Sequence, residues 1–391
     1  MTDNNNITMN NDEGNGPLVT QAYVCHEKGA KLVLEDITLP SLTATQVEVD
    51  ITHCGLCHTD IHMRDNDWGI SDYPIVLGHE GVGIIRKIGS SVKTLKVGDR
   101  VGVSWIRDSC QCCDPCLAGR ENICEQGYQG TYLGPSAGCW GKQPHNEHGG
   151  CFSKVVRIEA KFAIKLPESL PSEVASPFIC GGGTLFEPVS DYVKTGTSVA
   201  IASIGGLGTA GIKFSKSFGG RVTALSRSED KREKALGAGA DEFYACLGNK
   251  DAMAELAGKF DLIIDTSPQN SDVASFMGML KFNGTYCRVG IPPANDMDFK
   301  FSYIPLIFTK KKIAGSVVTG TRCMKQMLQL MTDELKDYGS DPKSWNAKVV
   351  SFEEVNQVMD DLLKGRNTNN WRFVFTWGEE EQKDSSMSMS Q

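Results

Sequence analysis

The sequence lacks any run of eighteen consecutive apolar residues, although 40% of its 391 residues are hydrophobic. A helix needs about 20 such residues to cross a bilayer, so the sequence predicts no membrane span. It also lacks a basic stripe, and its formal net charge of -8 argues against nucleic acid as the main partner. The length of the chain suffices for two domains that each bury a core of their own.

The N-terminus lacks the basic and apolar regions of a secretory signal and is rich in asparagine instead. We expect residues 1–17 to be a disordered leader and the polar residues 379–391 to be a disordered tail. In a chain without a secretion signal, the 14 cysteines favour reduced thiols and metal ligands over disulfides. These features together predict a cytoplasmic protein.

The pattern of apolar residues and glycines changes part-way along the chain. Residues 46–107 are short β-like runs broken by glycine, such as QVEVDITHC and GVGIIRKIG, which is typical of an antiparallel, partly open barrel. Residues 195–318 alternate six apolar strands with helical segments, which predicts a doubly wound parallel sheet. The helices expected there are GTAGIKFSKSFG, SEDKREKALGA and SDVASFMGMLKF. The fold class is therefore α/β.

This change of pattern sets the expected domain boundaries. We expect a catalytic barrel domain over residues 18–180 and a Rossmann-type sheet domain over residues 181–319. The sheet already has its six strands by that point, so residues 320–378 are expected to return to the first domain. There, SFEEVNQVMDDLLKGR predicts one helix and WRFVFTW one strand.

The segment SIGGLGTAG follows a strand and opens a helix, which is the context of a dinucleotide-binding turn. Read as GxGxxG, it has Gly205 and Gly208 at the second and third glycines and Ser203 at the first. Together with Gly206 and Leu207, these residues would let the backbone approach a pyrophosphate at the helix N-terminus. The segment therefore predicts a nicotinamide dinucleotide as cofactor.

The end of the second sheet strand discriminates between NAD and NADP. An acidic residue there usually binds the ribose 2′-hydroxyl of NAD, whereas RVTAL is followed by Ser226, Arg227 and Ser228, with Lys231 one turn later. A hydroxyl and two cations suit a 2′-phosphate, so we expect NADP. The alternative is a solvated, charged start of a helix, because Glu229 and Asp230 stand in the same segment.

Four cysteines with short, regular spacing lie in SCQCCDPCLAGRENIC, at Cys110, Cys113, Cys116 and Cys124. Four thiolates so arranged in one loop can close a tetrahedral Zn–S4 cage with no open coordination position. Such a site folds its loop rather than catalysing a reaction. Cys112 is the odd thiol in the segment, and its side chain is expected to point elsewhere.

A second metal site is predicted from residues that lie far apart in the sequence. CGLCHTDIH offers a Cys-x-x-Cys pair, Cys54 and Cys57, which could by its spacing share one zinc. GHEGVG supplies His79 and Glu80, and FICGGGT supplies Cys180. Cys57, His79 and Cys180 would form a three-ligand set whose fourth position is free for substrate, water or Glu80.

These motifs, in this order, resemble the zinc-containing medium-chain alcohol dehydrogenase family. NDWGISDYPIVLGHE, ASPFICGGGT and RVTALSRSEDKREKALGAGADEF are similar to its cinnamyl-alcohol-dehydrogenase branch. The resemblance implies a GroES-like barrel joined to a Rossmann domain, two zinc ions per chain and a homodimer. It also implies that Cys57 binds the catalytic metal, while Cys54 is a bystander.

The resemblance also implies roles for residues around that metal. Asp60 matches the carboxylate that orients His79, and Thr59 and His62 match a proton relay from the alcohol. The cofactor-binding residues implied, besides the turn and the second strand end, are Thr59, Thr184 and Gly290. The substrate-pocket residues implied are Trp68, Ile70 and Ser104.

The sequence therefore predicts an NADP(H)- and zinc-dependent alcohol dehydrogenase or aldehyde reductase, acting on small aromatic or allylic alcohols and aldehydes. An NAD-preferring enzyme remains an alternative. A polyol-type dehydrogenase, which usually has glutamate as third ligand, is disfavoured by Cys180. A non-catalytic zinc- or nucleotide-binding protein is a further alternative, but it need not keep Thr59, Asp60, His62 and the three ligands together.

Overall fold

The computed structural model of the protein describes residues 15–131, 149–297, 301–336, 345–364, 366 and 372–378. Nearly all of the expected leader and the whole expected tail lie outside these ranges. Among the described helices, none has the length and hydropathy that crossing a bilayer requires.

The strands are, in chain order, β1 (Leu18–Cys25), β2 (Val33–Leu39), β3 (Gln46–Gly55), β4 (Ile75–Val76), β5 (Gly81–Ile88), β6 (Arg100–Val103), β7 (Ile106–Ser109), β8 (Tyr128–Gly130), β9 (Val155–Glu159), β10 (Ala163–Lys165), β11 (Ser198–Ala202), β12 (Arg221–Ser226), β13 (Glu242–Ala245), β14 (Phe260–Asp265), β15 (Leu280–Arg288), β16 (Lys312–Gly315), β17 (Ala347–Ser351) and β18 (Arg372–Thr376). The α-helices are α1 (His58–Arg64), α2 (Asp114–Leu117), α3 (Ser172–Pro177), α4 (Gly183–Tyr192), α5 (Gly206–Ser217), α6 (Arg232–Gly237), α7 (Lys250–Ala254), α8 (Val273–Met279), α9 (Tyr303–Phe308), α10 (Thr321–Asp333) and α11 (Val355–Leu363).

The main sheet of the first domain has the strand order β10-β6-β5-β3-β18-β17, and β9 also pairs with β3. Its pairs are antiparallel except for β17 with β18. This confirms the expected antiparallel, partly open barrel. Strand β17 was not expected, because its segment AKVVS is largely exposed and therefore carries no clear alternation of apolar and polar residues.

The second domain is a six-stranded sheet with the order β13-β12-β11-β14-β15-β16, in which every pair is parallel. Alternate residues of the central strand β11 enter different clusters: Val199 and Ile201 lie on one face, and Ala200 and Ala202 on the other. Both faces are thus buried, as a doubly wound sheet requires. The strand order reverses between β11 and β14, which opens a crevice at the carboxyl ends of the strands.

One expected helix ends earlier in the structure than in the sequence interpretation. SDVASFMGMLKF was expected to be helical throughout, but α8 ends at Met279 and β15 begins at Leu280. Leu280 pairs with Phe260 of β14. Pairing within the sheet therefore outweighs the local preference for helix in this segment.

Helix α10 was not expected from the sequence, and its residues were assigned to the return segment because they follow residue 319. Its buried side chains pack instead in the cluster that contains the apolar residues of α4 and α5; they are Cys323, Met324, Met327, Leu328 and Met331. The chain rejoins the barrel sheet at β17 and β18. This packing favours a return later than residue 320, while the domain boundaries themselves stay a prediction.

Candidate active site

Four donor side chains meet where the barrel faces the sheet domain. Cys57 directly precedes α1, His79 and Glu80 directly precede β5, and Cys180 lies in the π-helical turn that leads into α4. Their donor atoms all lie within 4.8 Å of one another, and all four residues are buried. His79 Nε2 lies 3.1 Å from Cys180 Sγ. We call these four residues the buried cluster.

One carboxylate fixes two members of the buried cluster. Asp60 accepts hydrogen bonds from the backbone N–H groups of Cys57 and Gly78, each at 3.0 Å, and its Oδ1 lies 3.1 Å from His79 Nδ1. A proton on Nδ1 leaves the lone pair of Nε2 directed at the cluster. Asp60, which is fully buried, thus sets the tautomer of His79 as well as its orientation.

The electrostatics of the buried cluster suit a cation. The hydrogen bond from the Cys180 thiol and the nearby His79 hold the pKa of Cys57 well below its usual range. Burial raises the pKa of Glu80 to about 8, although the Arg372 guanidinium opposes the shift. Glu80 Oε2 is buried and finds no hydrogen-bond partner among the described residues. Two thiols, an imidazole and a partnerless carboxylate oxygen are a donor set that zinc accepts.

Cys54 lies outside the buried cluster. It belongs to β3, is fully buried, and its thiol lies 3.6 Å from the carbonyl oxygen of Gly55. The structure therefore groups Cys57 with His79 and Cys180, and not with Cys54 as a Cys-x-x-Cys pair.

Helix α1 carries the residues expected to relay a proton. His62 is buried, whereas Thr59 is half-buried. His62 Nδ1 lies 2.7 Å from Asp67 Oδ2, and the His62 ring lies between those of His58 and Trp68, at centroid distances of 4.9 and 4.8 Å. Asp67 was not expected from the sequence, although an acidic residue five positions after the histidine was a usable signal.

The sequence analysis also missed Arg372, at the start of β18. Its guanidinium donates to Glu80 Oε1 at 2.8 Å, and a Cβ atom at Gly206 would lie only 2.8 Å from its Cδ. Arg372 therefore stands between the buried cluster and the glycine-rich turn. No pattern in WRFVFTW distinguishes it from an ordinary exposed arginine of a strand.

The glycine-rich turn has the close packing that its motif demands. Ser203 has φ +73°, the left-handed conformation that a glycine at the first position of the motif would adopt freely. A Cβ atom at Gly208 would lie 2.2 Å from the carbonyl oxygen of Ser203, so this position excludes other residues. A Cβ atom added at Gly205, by contrast, would meet no atom of the described residues within 4 Å beyond its chain neighbours. Gly205 is the N-cap of the twelve-residue helix α5, whose first N–H groups, at Gly206 and Leu207, have no acceptor within the helix.

The residues expected to recognise a 2′-phosphate lie at the end of β12. Ser226 is buried, while Arg227 is exposed and donates to Gln269 Oε1 at 3.1 Å. Asp230 accepts hydrogen bonds from Ser228 Oγ and lies 3.2 Å from Lys231 Nζ. Ser228 and Lys231 are thus partly engaged by an acid. Ser226 and Arg227 remain the stronger candidates.

The four-cysteine lobe forms a second group of donor atoms within 4.8 Å of one another, at Cys110, Cys113, Cys116 and Cys124. Two of the sulfur–sulfur distances are 3.8 and 4.0 Å. A tetrahedron with Zn–S bonds of about 2.3 Å has an S–S edge of about 3.8 Å, so the lobe fits zinc. Hydrogen bonds from the backbone N–H groups of Cys112 and Cys113 lower the pKa of Cys110 to about 6. The Cys112 side chain itself is exposed and outside the group, as expected.

Two family models match this chain. The alcohol dehydrogenase GroES-like domain matches residues 43–168, and the zinc-binding dehydrogenase domain matches residues 206–333. A probable formaldehyde dehydrogenase of Bacillus subtilis is 36% identical over 357 residues, which cover 90% of this chain and 97% of that protein. The chain belongs to the zinc-binding alcohol dehydrogenase family.

Other members of this dehydrogenase family are similar over most of their length. An NADP-dependent alcohol dehydrogenase of Mycolicibacterium smegmatis is 34% identical, with coverage of 80% of this chain and 87% of that protein. A cinnamyl alcohol dehydrogenase from Sorghum bicolor has a fold that superposes with a TM-score of 0.78 at 30% identity, covering 92% of this chain and 98% of that one. The resemblance to the cinnamyl alcohol dehydrogenase branch is confirmed.

Aromatic side chains flank the buried cluster of the dehydrogenase. Trp68 is half-buried and donates from Nε1 to the carbonyl oxygen of Pro292, across the crevice, and Ile70 is half-buried two residues later. Ser104 lines a different, small cavity beside Phe162 and Thr319. The next residue, Trp105, lies against the His79 ring with centroids 5.2 Å apart. Trp105 is thus the residue of this pair that contacts the buried cluster.

The last two expected cofactor residues lie on different elements of the dehydrogenase. Thr184 is in the first turn of α4 and donates to the carbonyl oxygen of Cys180 at 3.0 Å. Gly290 follows β15, and a Cβ atom there would lie 1.9 Å from the carbonyl oxygen of Ser267. Gly290 therefore permits a close approach of two loops at the carboxyl edge of the sheet.

Proposed function

We propose that this dehydrogenase is an NADP(H)- and zinc-dependent enzyme that interconverts primary alcohols and aldehydes of aromatic or allylic type. The observation that carries the proposal is the position of the buried cluster. It lies at the crevice between the barrel and the nucleotide-binding turn, and Arg372 contacts both Glu80 of the cluster and Gly206 of the turn. The residues that would hold a metal and those that would hold a nicotinamide cofactor therefore lie at the same crevice.

Cys57, His79 and Cys180 would hold the metal, with Asp60 behind His79. A zinc ion bound there would supply Lewis acidity, which polarises an aldehyde oxygen and lowers the pKa of an alcohol. Arg372 engages Oε1 of Glu80 and leaves Oε2 without a partner among the described residues. With three protein ligands, the fourth position would be open to the substrate oxygen or to Glu80, as a catalytic rather than a structural site needs.

Thr59 and His62 would carry the alcohol proton to solvent. Both lie on α1, one turn apart, and His62 is oriented by Asp67. A histidine with one nitrogen held by a carboxylate can accept a proton at its other nitrogen. Proton movement at this end of the site would accompany hydride movement at the nicotinamide, which is the chemistry that the cofactor supplies.

Thr59→Val tests the relay, because valine keeps the shape of threonine and removes its hydroxyl. We expect turnover to fall roughly a hundredfold, the usual contribution of general acid–base catalysis. Zinc content should stay unchanged. Steady-state kinetics with metal analysis measure both, and a loss of less than about threefold would show that water bypasses Thr59.

Recognition of NADP(H) is supported by the absence of a carboxylate at the end of β12 and by the exposed Arg227 beside Ser226. An arginine makes charge-assisted hydrogen bonds to a phosphate group. The relative from Mycolicibacterium smegmatis is also named NADP-dependent. The open space around Gly205 at the start of α5 suits the pyrophosphate.

The substrate class follows from the aromatic side chains at the site. Trp105 contacts the ring of His79 in the buried cluster, and Trp68 contacts the ring of His62 on α1. Indole faces favour flat, aromatic or conjugated substrates over polyols, which need hydrogen-bonding partners. Similarity to cinnamyl alcohol dehydrogenases supports the same class.

A panel of carbonyl substrates tests the proposed function. Purified enzyme should oxidise NADPH in the presence of cinnamaldehyde or benzaldehyde, with a much lower kcat/KM for a ketose. Preference for a polyol and its ketose would favour the polyol-type alternative. No oxidation of either cofactor with any aldehyde, by protein that retains its zinc, would favour the non-catalytic alternative.

The four-cysteine lobe is proposed to hold a second, structural zinc. Cys110→Ser should open the cage, remove one zinc per chain and lower Tm by roughly 10 °C or more, because metal binding stabilises such a loop directly. Cys112→Ser is the matched control, since Cys112 is the exposed neighbour outside the cage. Equal Tm values and zinc contents for the two variants would contradict the assignment.

The homodimer and the cytoplasmic location stay predictions. Exposed apolar side chains on α9 favour self-association; they are Tyr303, Ile304, Ile307 and Phe308, with exposures of 72, 66, 68 and 79%. Strand β16 forms the adjacent edge of the six-stranded sheet and pairs only with β15 among the described strands. A second copy of the chain could pair with this edge.

A further inference from the structure

Arg288, the last residue of β15, uses every N–H of its guanidinium within the protein. Nε donates to the carbonyl oxygen of Gly290 at 2.7 Å. Nη2 donates to the carbonyl oxygens of Ser267 and Gln269, at 2.9 and 2.6 Å. Nη1 donates to Asp265 Oδ2 and to Ser271 Oγ. A guanidinium has five N–H donors, so all of them are accounted for by these five acceptors.

This saturation decides what Arg288 can do. It has no donor left for a cofactor phosphate, so a role as an anion ligand is excluded by its own contacts. Its charge is also matched, because Asp265 is fully buried and lies in an ion pair with it. Breaking such a buried pair on one side is costly. Arg288 therefore acts on the loops around it rather than on a ligand.

Those loops form the carboxyl edge of the sheet. Ser267, Gln269 and Ser271 belong to the loop after β14, and Gly290 to the loop after β15. In doubly wound sheets, cofactors bind in the crevice at this edge. Three of the five acceptors are backbone carbonyls, so Arg288 fixes the course of the main chain in both loops.

The loop after β14 also reaches the second strand end. Gln269 accepts the hydrogen bond from Arg227 with its side chain, while its carbonyl oxygen accepts from Arg288. Asn270, in the same loop, donates a hydrogen bond from Nδ2 to Asp296 Oδ1, in the segment that follows β15. One arginine thus ties the part of the crevice beside Ser226 to the part beside Gly290.

We propose that Arg288 is a positioning residue that shapes the dinucleotide crevice for NADPH and NADH alike. The inference rests on the proposed nucleotide site and adds a determinant outside its phosphate-binding residues. Because Arg288 acts through two loops and not through the 2′-phosphate, its loss should weaken the binding of both cofactors by a similar factor. Loss of Arg227, which lies where the 2′-phosphate is expected, should weaken the binding of NADPH alone.

Arg288→Lys is the test variant, because lysine keeps the positive charge beside Asp265 but has three donors instead of a planar set of five. We expect the Kd values of NADPH and NADH each to rise about tenfold or more, the effect of losing several backbone-fixing hydrogen bonds. Their ratio should change less than about threefold. At saturating cofactor, kcat should also stay within about threefold. Quenching of protein fluorescence gives Kd, and steady-state kinetics separate KM from kcat.

Arg227→Ala is the matched comparison and should raise the Kd of NADPH without changing that of NADH. Ser271→Ala removes a single acceptor and keeps the test valid if Arg288→Lys does not fold; it should raise both Kd values severalfold. Folded Arg288→Lys with both Kd values within twofold of the unmodified enzyme would overturn the inference, as would a change confined to NADPH. If the unmodified enzyme binds neither cofactor, the proposed function fails instead.

Discussion

Cys57→Ser is expected to lower kcat/KM for an aldehyde by roughly a thousandfold or more. Lewis-acid polarisation of a carbonyl contributes several kcal/mol, and each 1.36 kcal/mol corresponds to about a factor of ten in rate. Serine removes one thiolate from the buried cluster, so the chain should keep about one zinc instead of two. The fold should survive, because Asp60 still holds Gly78 and His79, and Tm should stay within about 4 °C.

Cys54→Ser is the control for this prediction. Cys54 lies in the same motif and is as buried as Cys57, but its thiol faces the carbonyl oxygen of Gly55, which can accept from a serine hydroxyl. Zinc content and kcat/KM should stay within about threefold of the unmodified enzyme. Near-normal turnover of Cys57→Ser, or a larger loss in Cys54→Ser, would contradict the assignment of the ligand.

Ser226→Asp combined with Arg227→Ile is expected to reverse the cofactor preference. Each charge-assisted hydrogen bond to the 2′-phosphate contributes about 1.5–3 kcal/mol, or about ten- to a hundredfold in affinity. The new carboxylate would repel a phosphate and accept a hydrogen bond from a ribose hydroxyl. The ratio of kcat/KM for NADPH to that for NADH should therefore fall at least about a hundredfold.

The two cofactors must be compared at one salt concentration, because phosphate contacts are screened by ions. Lys231→Ala serves as the matched control. Lys231 already forms a salt bridge with Asp230, so its loss should change the ratio of kcat/KM for the two cofactors far less. Equal use of NADH and NADPH by the unmodified enzyme would contradict the cofactor assignment and leave the zinc chemistry untouched.

The sheet domain could be predicted well because its signals are local and repeated. Strand β11 is apolar from Val199 to Ala202, and strands of this kind alternate with helical segments, so a parallel, doubly wound sheet follows from general rules. The end of α8 could not be predicted, since it depends on pairing between Leu280 and Phe260. Strand β17 is mostly exposed and shows no clear alternation of apolar and polar residues.

The donor residues of the candidate site could be predicted because their types and spacings are unusual. The residues that support these donors and the neighbouring loops could not be predicted from the sequence. Arg372 and Arg288 look like ordinary arginines of strands in the sequence, and only the fold brings one to Glu80 and the other to Asp265. Ser104 stays a prediction for the substrate pocket: it lines a separate small cavity, and the neighbouring Trp105 is the residue that contacts His79.

Transfer of a labelled hydride tests the central claim most directly. NADPH carrying deuterium at both C4 positions should be incubated with cinnamaldehyde and the purified enzyme, and the alcohol analysed by mass spectrometry. The account predicts one deuterium on the carbinol carbon of each cinnamyl alcohol formed, with one NADPH oxidised per product. Unlabelled alcohol, or oxidation of NADPH without alcohol, would contradict direct hydride transfer at this site.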